Sequence, residues 1–202
     1  MPQLGSTGSR LLDGNSVLAE DLERRIADFH RGPAALLVNS GFDANVSIFS
    51  CIPQPGDIVV YDQLIHASVH DGIKSSRVDK AIAFAHNSVE DLQRILTHLK
   101  PEVDEKPYRS VFVAVESLYS MDGDLAPLQE IVELLTVLFH QKNAHLIVDE
   151  AHSTGVYGKN GRGRVCQLGL EEKVFLRLHT FGKALACNGG MTAAHSSSFA
   201  VD

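Results

Sequence analysis

"SVFVAVE" (110–116) and "HLIVDE" (145–150) are two short, continuously apolar stretches, and "PLQEIVELLTVLFHQ" (127–141) separates them. The middle stretch begins with a proline, which favours a helix start, and its apolar residues recur with helical spacing. Strands that are buried on both faces have unbroken apolar runs, whereas half-exposed strands alternate. The three stretches therefore predict two parallel strands joined by a helix that packs on the sheet.

The same pattern continues outward on both sides of this unit. Further strands are predicted at 57–62, 81–86 and 174–180, and further helices at 16–30 and 87–100. Ser16 is the expected N-cap of the first helix, whose apolar face carries Leu18 and Leu22. Asn87 and Glu90 have the spacing of a capping box, and residues 100–109 are polar and contain prolines, which is typical of a loop. We predict an α/β, three-layered, mostly parallel open sheet within one domain, residues 1–202.

Composition and charge exclude several classes of protein. Of the 202 residues, 44% are hydrophobic and 21% are charged, with a net charge of −7. This acidic balance argues against nucleic-acid binding and against a polybasic membrane anchor. No apolar run approaches the roughly 18 residues of a membrane-spanning helix, and the N-terminus does not resemble a signal peptide, so we expect a cytoplasmic protein. Cys51, Cys166 and Cys187 are too few and too far apart to predict a disulfide framework or a metal site.

Polar residues follow the predicted strands where each strand ends. Glu116, Asp149 and Thr180 close three of the apolar runs, and Lys183 follows three residues after Thr180. Two histidines, His66 and His152, come shortly after strand ends as well. In an open parallel sheet, ligands bind beyond the carboxyl ends of the strands, so we expect these groups to share one rim.

"NSGFDAN" (39–45) adds a possible anion site, because a Ser-Gly turn that opens a helix exposes backbone N–H groups. Each feature also has an ordinary structural explanation: Asp149 and Thr180 could simply end strands, and His66 and His152 could lie on the surface. Taken together they suit one cofactor, pyridoxal 5′-phosphate (PLP). It requires a lysine for its aldehyde, a carboxylate for its pyridine nitrogen, donors for its phosphate and a flat partner for its ring. Lys183, Asp149, Thr180 with Ser40-Gly41-Phe42, and His66 fit those roles in turn.

Five motifs in chain order resemble one known family, the α-oxoamine synthases. They are "NSGFDAN" (39–45), "DQLIHASVHDG" (62–72), "ESLYSMDGDLAPL" (116–128), "DEAHSTGVYGKNGRG" (149–163) and "HTFGKALA" (179–186). These are PLP-dependent enzymes of fold type I, among the class II aminotransferases. The motifs resemble most the branch of 8-amino-7-oxononanoate synthase, which belongs to biotin biosynthesis, and a relative that uses another acyl donor is the alternative.

The resemblance implies a role for each matching residue. Lys183 is similar to the lysine that forms a Schiff base with PLP, Asp149 to the partner of the pyridine nitrogen, and His152 to the donor to the phenolic oxygen. His66 resembles the histidine that stacks on the ring and contacts substrate.

Further positions resemble cofactor-binding residues. Ser120 and Thr180 match hydroxyls that bind the cofactor, Thr180 at its phosphate, and Gly41 and Phe42 match the backbone beside the phosphate. Glu116 matches a site position whose role the resemblance does not specify. "GSTGSR" (5–10) resembles a segment near the active site of the dimer.

The reaction implied is the condensation of an amino acid with an acyl-CoA, with loss of CO₂ and CoA, by a homodimer. Members of the family carry a C-terminal domain with an arginine for the substrate carboxylate. After Gly190 this sequence has small polar residues in place of the expected apolar strand, and 191–202 is an atypical tail. From the resemblance we expect a truncated chain that binds the cofactor weakly or with a partner and does not turn over by itself.

Three other interpretations remain. "DEAH" is also a helicase motif, but the phosphate-binding loop GxxxxGK[ST] that it would require is absent. The second interpretation is a different reaction on the same fold, such as that of an aminotransferase or a threonine aldolase. The third is a truncated, inactive or regulatory subunit that keeps the PLP-binding fold.

Overall fold

A computed structural model describes residues 5–6, 8–105, 109–140 and 143–194, and in these ranges seven strands form one sheet. The strands are β1 Ala34–Val38, β2 Ile58–Asp62, β3 Lys80–Phe84, β4 Val111–Glu116, β5 Ala144–Asp149, β6 Leu176–Thr180 and β7 Gly190–Ala194. The α-helices are α1 Val17–Phe29, α2 Gly41–Cys51, α3 Ala67–Lys74, α4 Val89–Asp104, α5 Leu128–Leu138 and α6 Arg164–Leu168.

The strand order is β1-β7-β6-β5-β4-β2-β3. The five neighbouring strands β3, β2, β4, β5 and β6 pair in parallel. Strand β7 is antiparallel to both of its neighbours, β1 and β6. The carboxyl ends of β2, β4, β5 and β6 therefore lie at one edge of the sheet, as the sequence pattern predicted.

Helices cover both faces of the sheet. This explains why every residue of β4 from 111 to 115 is apolar. Val111, Val113 and Val115 belong to a cluster with α4 and α5, while Phe112 and Ala114 belong to a second cluster with α2 and α3. Successive side chains of a strand point to opposite faces, and here both faces are buried. Residues 111–116 are all buried for this reason.

Helix α1 forms where it was predicted, and the Ser16 hydroxyl accepts a hydrogen bond from the Ala19 N–H at 3.2 Å. Its apolar face does not enter the core, however, because Leu18 is 69% exposed and Leu22 is 39% exposed. Helical periodicity predicts the helix correctly but not what covers its apolar face.

The start and the end of α4 differ from the sequence expectation. The N-cap is Ser88, whose hydroxyl accepts from the Asp91 N–H at 3.1 Å, and Asn87 lies outside the helix with φ of 53°. The helix also continues past Pro101 to Asp104, where a loop was expected. A proline removes one N–H donor, and near the end of a long helix whose inner face is buried this loss is tolerated. Residues 106–108 lie outside the described residues.

The expectation that no strand follows Gly190 is wrong. Residues 190–194 form β7, in which Met191 and Ala193 are buried. A strand with one large apolar residue, Met191, suffices here because β7 lies between two strands and each of its neighbours supplies backbone partners. Residues 195–202, and Thr7 of the glycine-serine segment, lie outside the described residues.

Within the described ranges, the structure has no helix that is both long and apolar enough to cross a membrane.

Candidate active site

A cavity of about 360 Å³ lies at the carboxyl ends of the central strands. Glu116 and Asp149, the last residues of β4 and β5, are register partners and so stand side by side in its wall. The cavity is lined by Ser40, Gly41, Phe42, Asn45, His66, Ser68, Glu116, Asp149, Ala151, Leu178, Thr180, Gly182 and Lys183. Its walls therefore come from the carboxyl ends of β4, β5 and β6 and the amino-terminal ends of α2 and α3.

The amino-terminal end of α2 faces Thr180. The Ser40 hydroxyl caps the helix by accepting from the Asp43 N–H at 3.0 Å. A Cβ at Gly41 would lie 3.3 Å from the Thr180 Cβ, so glycine allows the helix start to approach the end of β6 closely. The N–H groups of a first helical turn have no partner within the helix and carry the positive end of its dipole. With the Thr180 hydroxyl, they make a site suited to an anion.

The Asp149 carboxylate is held in a fixed orientation on the cavity wall. Its Oδ2 accepts from the Asn45 amide at 2.8 Å, and its Oδ1 accepts from the Ala151 N–H at 2.8 Å. Asp149 is 7% exposed. A buried carboxylate with two donors of this kind is positioned to receive one further donor from a ligand in the cavity.

His66 is exposed as a residue, and its ring Nδ1 is tied to α3. His66 caps that helix, with Nδ1 accepting from the Ser68 N–H at 3.2 Å and lying 2.7 Å from the Ser68 hydroxyl. The Asn45 amide donates to the same hydroxyl at 3.0 Å, which links His66 to the residue that holds Asp149. The Phe42 ring stands edge-on to His66 with centroids 6.0 Å apart. An imidazole tied in this way offers a flat face to a ligand.

Lys183 lies on the tight loop between β6 and β7. The Cys187 N–H donates to the Phe181 carbonyl at 2.7 Å, and the Ala186 N–H donates to the Lys183 carbonyl at 3.0 Å. Although the residue as a whole is exposed, its surroundings in the cavity lower the pKa of the Lys183 amine. Burial is the larger cause, and the charges of Asp149 and Glu116 oppose it. A lowered pKa increases the fraction of neutral, nucleophilic amine near neutral pH.

The pKa of Glu116 is shifted in the opposite direction, upward. Burial, followed by the charge of Asp149, raises the pKa of its carboxyl to about 8, while a hydrogen bond from the His66 backbone N–H and the charge of Lys183 act against this. At neutral pH Glu116 is therefore mostly protonated, and one proton is available beside Asp149.

The structure brings together seven of the nine residues predicted from the sequence. Ser120 is exposed and does not line the cavity, and His152 does not line it either. His152 is nevertheless close: its pKa is lowered first by burial and then by the charge of Lys183, and the charge of Asp149 acts in the other direction.

Asn45 and Ser68 were missed by the sequence prediction. Asn45 lies four residues after Gly41, so helical spacing places it on the same face as a predicted site residue, whereas Ser68, two residues after His66, has no such signal. No group of three or more metal-ligating side chains occurs in the part of the chain that the structure describes.

Comparison with known proteins gives consistent results. Residues 1–201 match the family described as aminotransferase class I and II. The chain is 54% identical to an 8-amino-7-oxononanoate synthase of Emericella nidulans, over 92% of this chain and 46% of that enzyme. It is 44% identical to the aminoacyl transferase sphA of Byssochlamys spectabilis, over 93% of this chain and 40% of that protein. The chain thus spans less than half of the length of these curated relatives.

Solved structures show the same fold. A serine palmitoyltransferase of Sphingomonas wittichii superposes with a TM-score of 0.86 at 33% identity, over 96% of this chain and 46% of that one. A serine palmitoyltransferase determined with PLP has a TM-score of 0.85 at 34% identity, with the same coverage. An 8-amino-7-oxononanoate synthase from Francisella tularensis has a TM-score of 0.72 at 30% identity, over 96% of this chain and 50% of that one. The predicted α/β architecture of fold type I is confirmed.

Proposed function

The chain belongs to the aminotransferase class I and II family, and on that premise we propose that it binds PLP and acts in the condensation of an amino acid with an acyl-CoA. One observation carries the proposal. A lysine with a lowered pKa, a fixed carboxylate and the open amino-terminal end of a helix all line the same cavity. These are three of the four kinds of group that PLP requires, and the fourth, a flat partner for the ring, is His66 in the same cavity.

The residues present fit the cofactor. Thr180 and the first turn of α2, with Gly41 leaving room between them, would hold the phosphate. Asp149 would hold a proton on the pyridine nitrogen, and the exposed His66 ring would lie against the flat face. Lys183 would hold the aldehyde carbon. When bound, PLP supplies an electron sink for negative charge at the α-carbon of the amino acid.

The protein's own groups would then move protons in this cavity. Lys183, once its amine is free and neutral, is placed to take a proton from the α-carbon, and its lowered pKa favours that state. Glu116 is mostly protonated at neutral pH and stands beside Asp149, so it can donate a hydrogen bond to a ligand oxygen. His152 and Ser120 are proposed as cofactor ligands through the resemblance alone.

The names of the relatives support the proposed substrates. The curated proteins that the chain matches carry the names of an 8-amino-7-oxononanoate synthase and an aminoacyl transferase, and the similar solved structures include serine palmitoyltransferases. These names favour acyl transfer to an amino acid over transfer of an amino group. The homodimer and the cytoplasmic location stay predictions, and light scattering of the purified chain tests the first.

A chimera tests the reaction. Because the chain matches 46% of the Emericella nidulans enzyme, residues 5–190 would replace the matching part of that enzyme. CoA release is then measured with a thiol reagent in the presence of alanine, glycine or serine and an acyl-CoA. We expect release that requires both substrates and is abolished by Lys183→Ala. Amino-group transfer to a 2-oxo acid without CoA release would contradict the proposal and favour an aminotransferase.

A further inference from the structure

Behind the cavity wall, on the opposite side of β6, lies a buried polar cluster that the proposed chemistry does not use. Glu150 directly follows Asp149 in the chain, and His179 directly precedes Thr180. Both are 0% exposed. The rings of His30 and His179 stack with centroids 3.7 Å apart, and the buried Arg177 donates to the His30 carbonyl at 2.6 Å. Residues of this kind are rarely buried without a defined set of partners.

The hydrogen bonds of Thr154 determine which nitrogen of His179 carries a hydrogen. The Thr154 hydroxyl donates its only hydrogen to the Glu150 carbonyl at 2.7 Å. The same hydroxyl lies 2.8 Å from His179 Nδ1, so in that contact it must accept and Nδ1 must donate. A neutral His179 therefore has its hydrogen on Nδ1 and a bare lone pair on Nε2.

The Glu150 carboxyl has one satisfied oxygen and one without a partner. Oε1 accepts from the Val165 N–H at 2.9 Å and from the Ser153 hydroxyl at 3.1 Å. Among the described residues, Oε2 has no hydrogen-bond partner, and neither has His179 Nε2. The two orphan atoms are 3.7 Å apart.

Backbone closes off the carboxyl on its other side. A Cβ placed on Gly163, which has φ of 101°, would lie 2.5 Å from Glu150 Oε2. The orphan oxygen and the orphan nitrogen can therefore serve as each other's partner, although the backbone N–H of Arg164 also lies near the Glu150 carboxyl and lowers its pKa. A movement of about 1 Å brings them to an ordinary O–H···N distance.

One proton between these atoms satisfies both, and it can be on either side. An imidazolium at His179 would face the guanidinium of Arg177 and stack on His30, and its burial is costly. These causes, burial first, lower the pKa of His179 well below its ordinary value. Burial raises the pKa of the Glu150 carboxyl to about 7, although Arg177 and the hydrogen bond from Val165 oppose this. The nearby Cys166 thiol does not compete for this proton, because burial raises its pKa to about 11.

We infer that Glu150 and His179 are a positioning pair that shares one proton, carried by Glu150 Oε2 and accepted by His179 Nε2. The pair links the ends of β5 and β6 directly behind Asp149 and Thr180. The Glu150 N–H also donates to the Leu178 carbonyl at 2.8 Å, so backbone and side chains tie the same two strand ends. The function of this link, to keep Asp149 and Thr180 at a constant separation for one ligand, rests on the proposed PLP site.

The pH dependence of stability tests the shared proton without any cofactor. A carboxyl whose pKa is about 7 in the folded chain and about 4.3 in the unfolded chain holds its proton more tightly when folded, so the free energy of unfolding falls as the pH rises from about 4.3 to about 7 and is constant outside that interval. Glu150→Gln keeps a donor for His179 and an acceptor for Val165 but cannot titrate. We expect the 202-residue wild-type chain to lose stability relative to Glu150→Gln as the pH rises from about 4.5 to about 7, with little further change above about pH 8, measured by urea unfolding. The exposed Glu130→Gln is the matched control and should follow the wild type. A difference between wild type and Glu150→Gln that does not change with pH would overturn the shared proton.

Nitrogen-15 NMR of the wild-type chain tests the tautomer directly. At pH 7 we expect His179 to be neutral and protonated on Nδ1, and an imidazolium or an Nε2–H tautomer would overturn the inference.

The positioning role has its own measurement, the Kd for PLP. Glu150→Ala should raise it about 10-fold, because it leaves two buried groups without partners, and Glu150→Gln should leave it within about twofold. Equal affinity in Glu150→Ala and wild type would overturn the positioning role. If neither the wild type nor any variant binds PLP, the proposed function fails. The pH and NMR results still decide whether the proton is shared.

Discussion

The cavity at the carboxyl ends of the strands differs from a second cavity at the amino ends of β5 and β6. The second cavity is the larger, about 580 Å³ against about 360 Å³. It is lined by Val132, Leu135, Thr136, Phe139, His140, Ala144, His145, Leu146, Glu172, Lys173, Val174 and Phe175. Most of these side chains are apolar or aromatic, and the Phe112, His145 and Phe175 rings pack on one another there.

The difference shows that volume does not identify a site. In the amino-end cavity the Thr136 hydroxyl donates to the Val132 carbonyl at 2.8 Å, within its own helix. In the carboxyl-end cavity Asp149 is fixed by two donors, and Glu116 and Lys183 have pKa values shifted toward each other. Opposed shifts of this kind are typical of functional sites. Equivalent substitutions at the two cavities should therefore have unequal effects.

The largest expected difference is between two lysines. Lys183→Ala should abolish covalent attachment of PLP, seen as loss of the absorption band of the bound cofactor, because no other amine lines that cavity in the described residues. Lys173→Ala, at the amino-end cavity, should leave the band unchanged. Equal losses in the two variants would mean that the cofactor binds without using the predicted site.

Asp149→Asn should have the next largest effect. A neutral amide cannot hold a proton on the pyridine nitrogen, so exchange of the amino acid's α-proton with solvent should slow by about 100-fold. Proton NMR in heavy water measures this in the chimera described above, with circular dichroism to show that the fold is kept. An unchanged rate would reduce Asp149 to a residue that merely ends β5.

Thr180→Val removes one hydroxyl at nearly constant volume. It should raise the Kd for PLP about 10-fold, because a hydrogen bond to a charged phosphate is worth roughly 1.5–3 kcal/mol. Thr136→Val is the matched control at the amino-end cavity and should leave the Kd unchanged. If both variants bind PLP like the wild type, Thr180 is not a phosphate ligand.

Filling the amino-end cavity should have the smallest effect. Ala144→Val adds two methyl groups at the start of β5, where a β-branched residue suits the strand, and should stabilise the chain by about 1 kcal/mol in urea unfolding. PLP binding should not change. A loss of PLP affinity would show that the amino-end cavity is coupled to the site.

Much of this arrangement could be predicted from the sequence. Unbroken apolar runs predicted β2, β4, β5 and β6, and the rule for parallel sheets placed Glu116, Asp149 and Thr180 at one rim. The family resemblance is confirmed by the match to aminotransferase class I and II.

Other features depend on contacts between elements that are distant in sequence. Strand β7 forms although only Met191 among its five residues is large, because β1 and β6 supply backbone partners on both sides. Asn45 reaches Asp149, 104 residues away, which local spacing does not reveal. The buried pair of Glu150 and His179 was not predicted for the same reason, since only the fold brings the ends of β5 and β6 together.

The central claim is that PLP attaches to Lys183 in the carboxyl-end cavity. Reduction with sodium borohydride in the presence of PLP fixes the attachment, and mass spectrometry of the peptides locates it. We predict a single pyridoxyl label, on Lys183. A label spread over lysines such as Lys74, Lys159 and Lys173, or one that is absent from Lys183, would contradict the account.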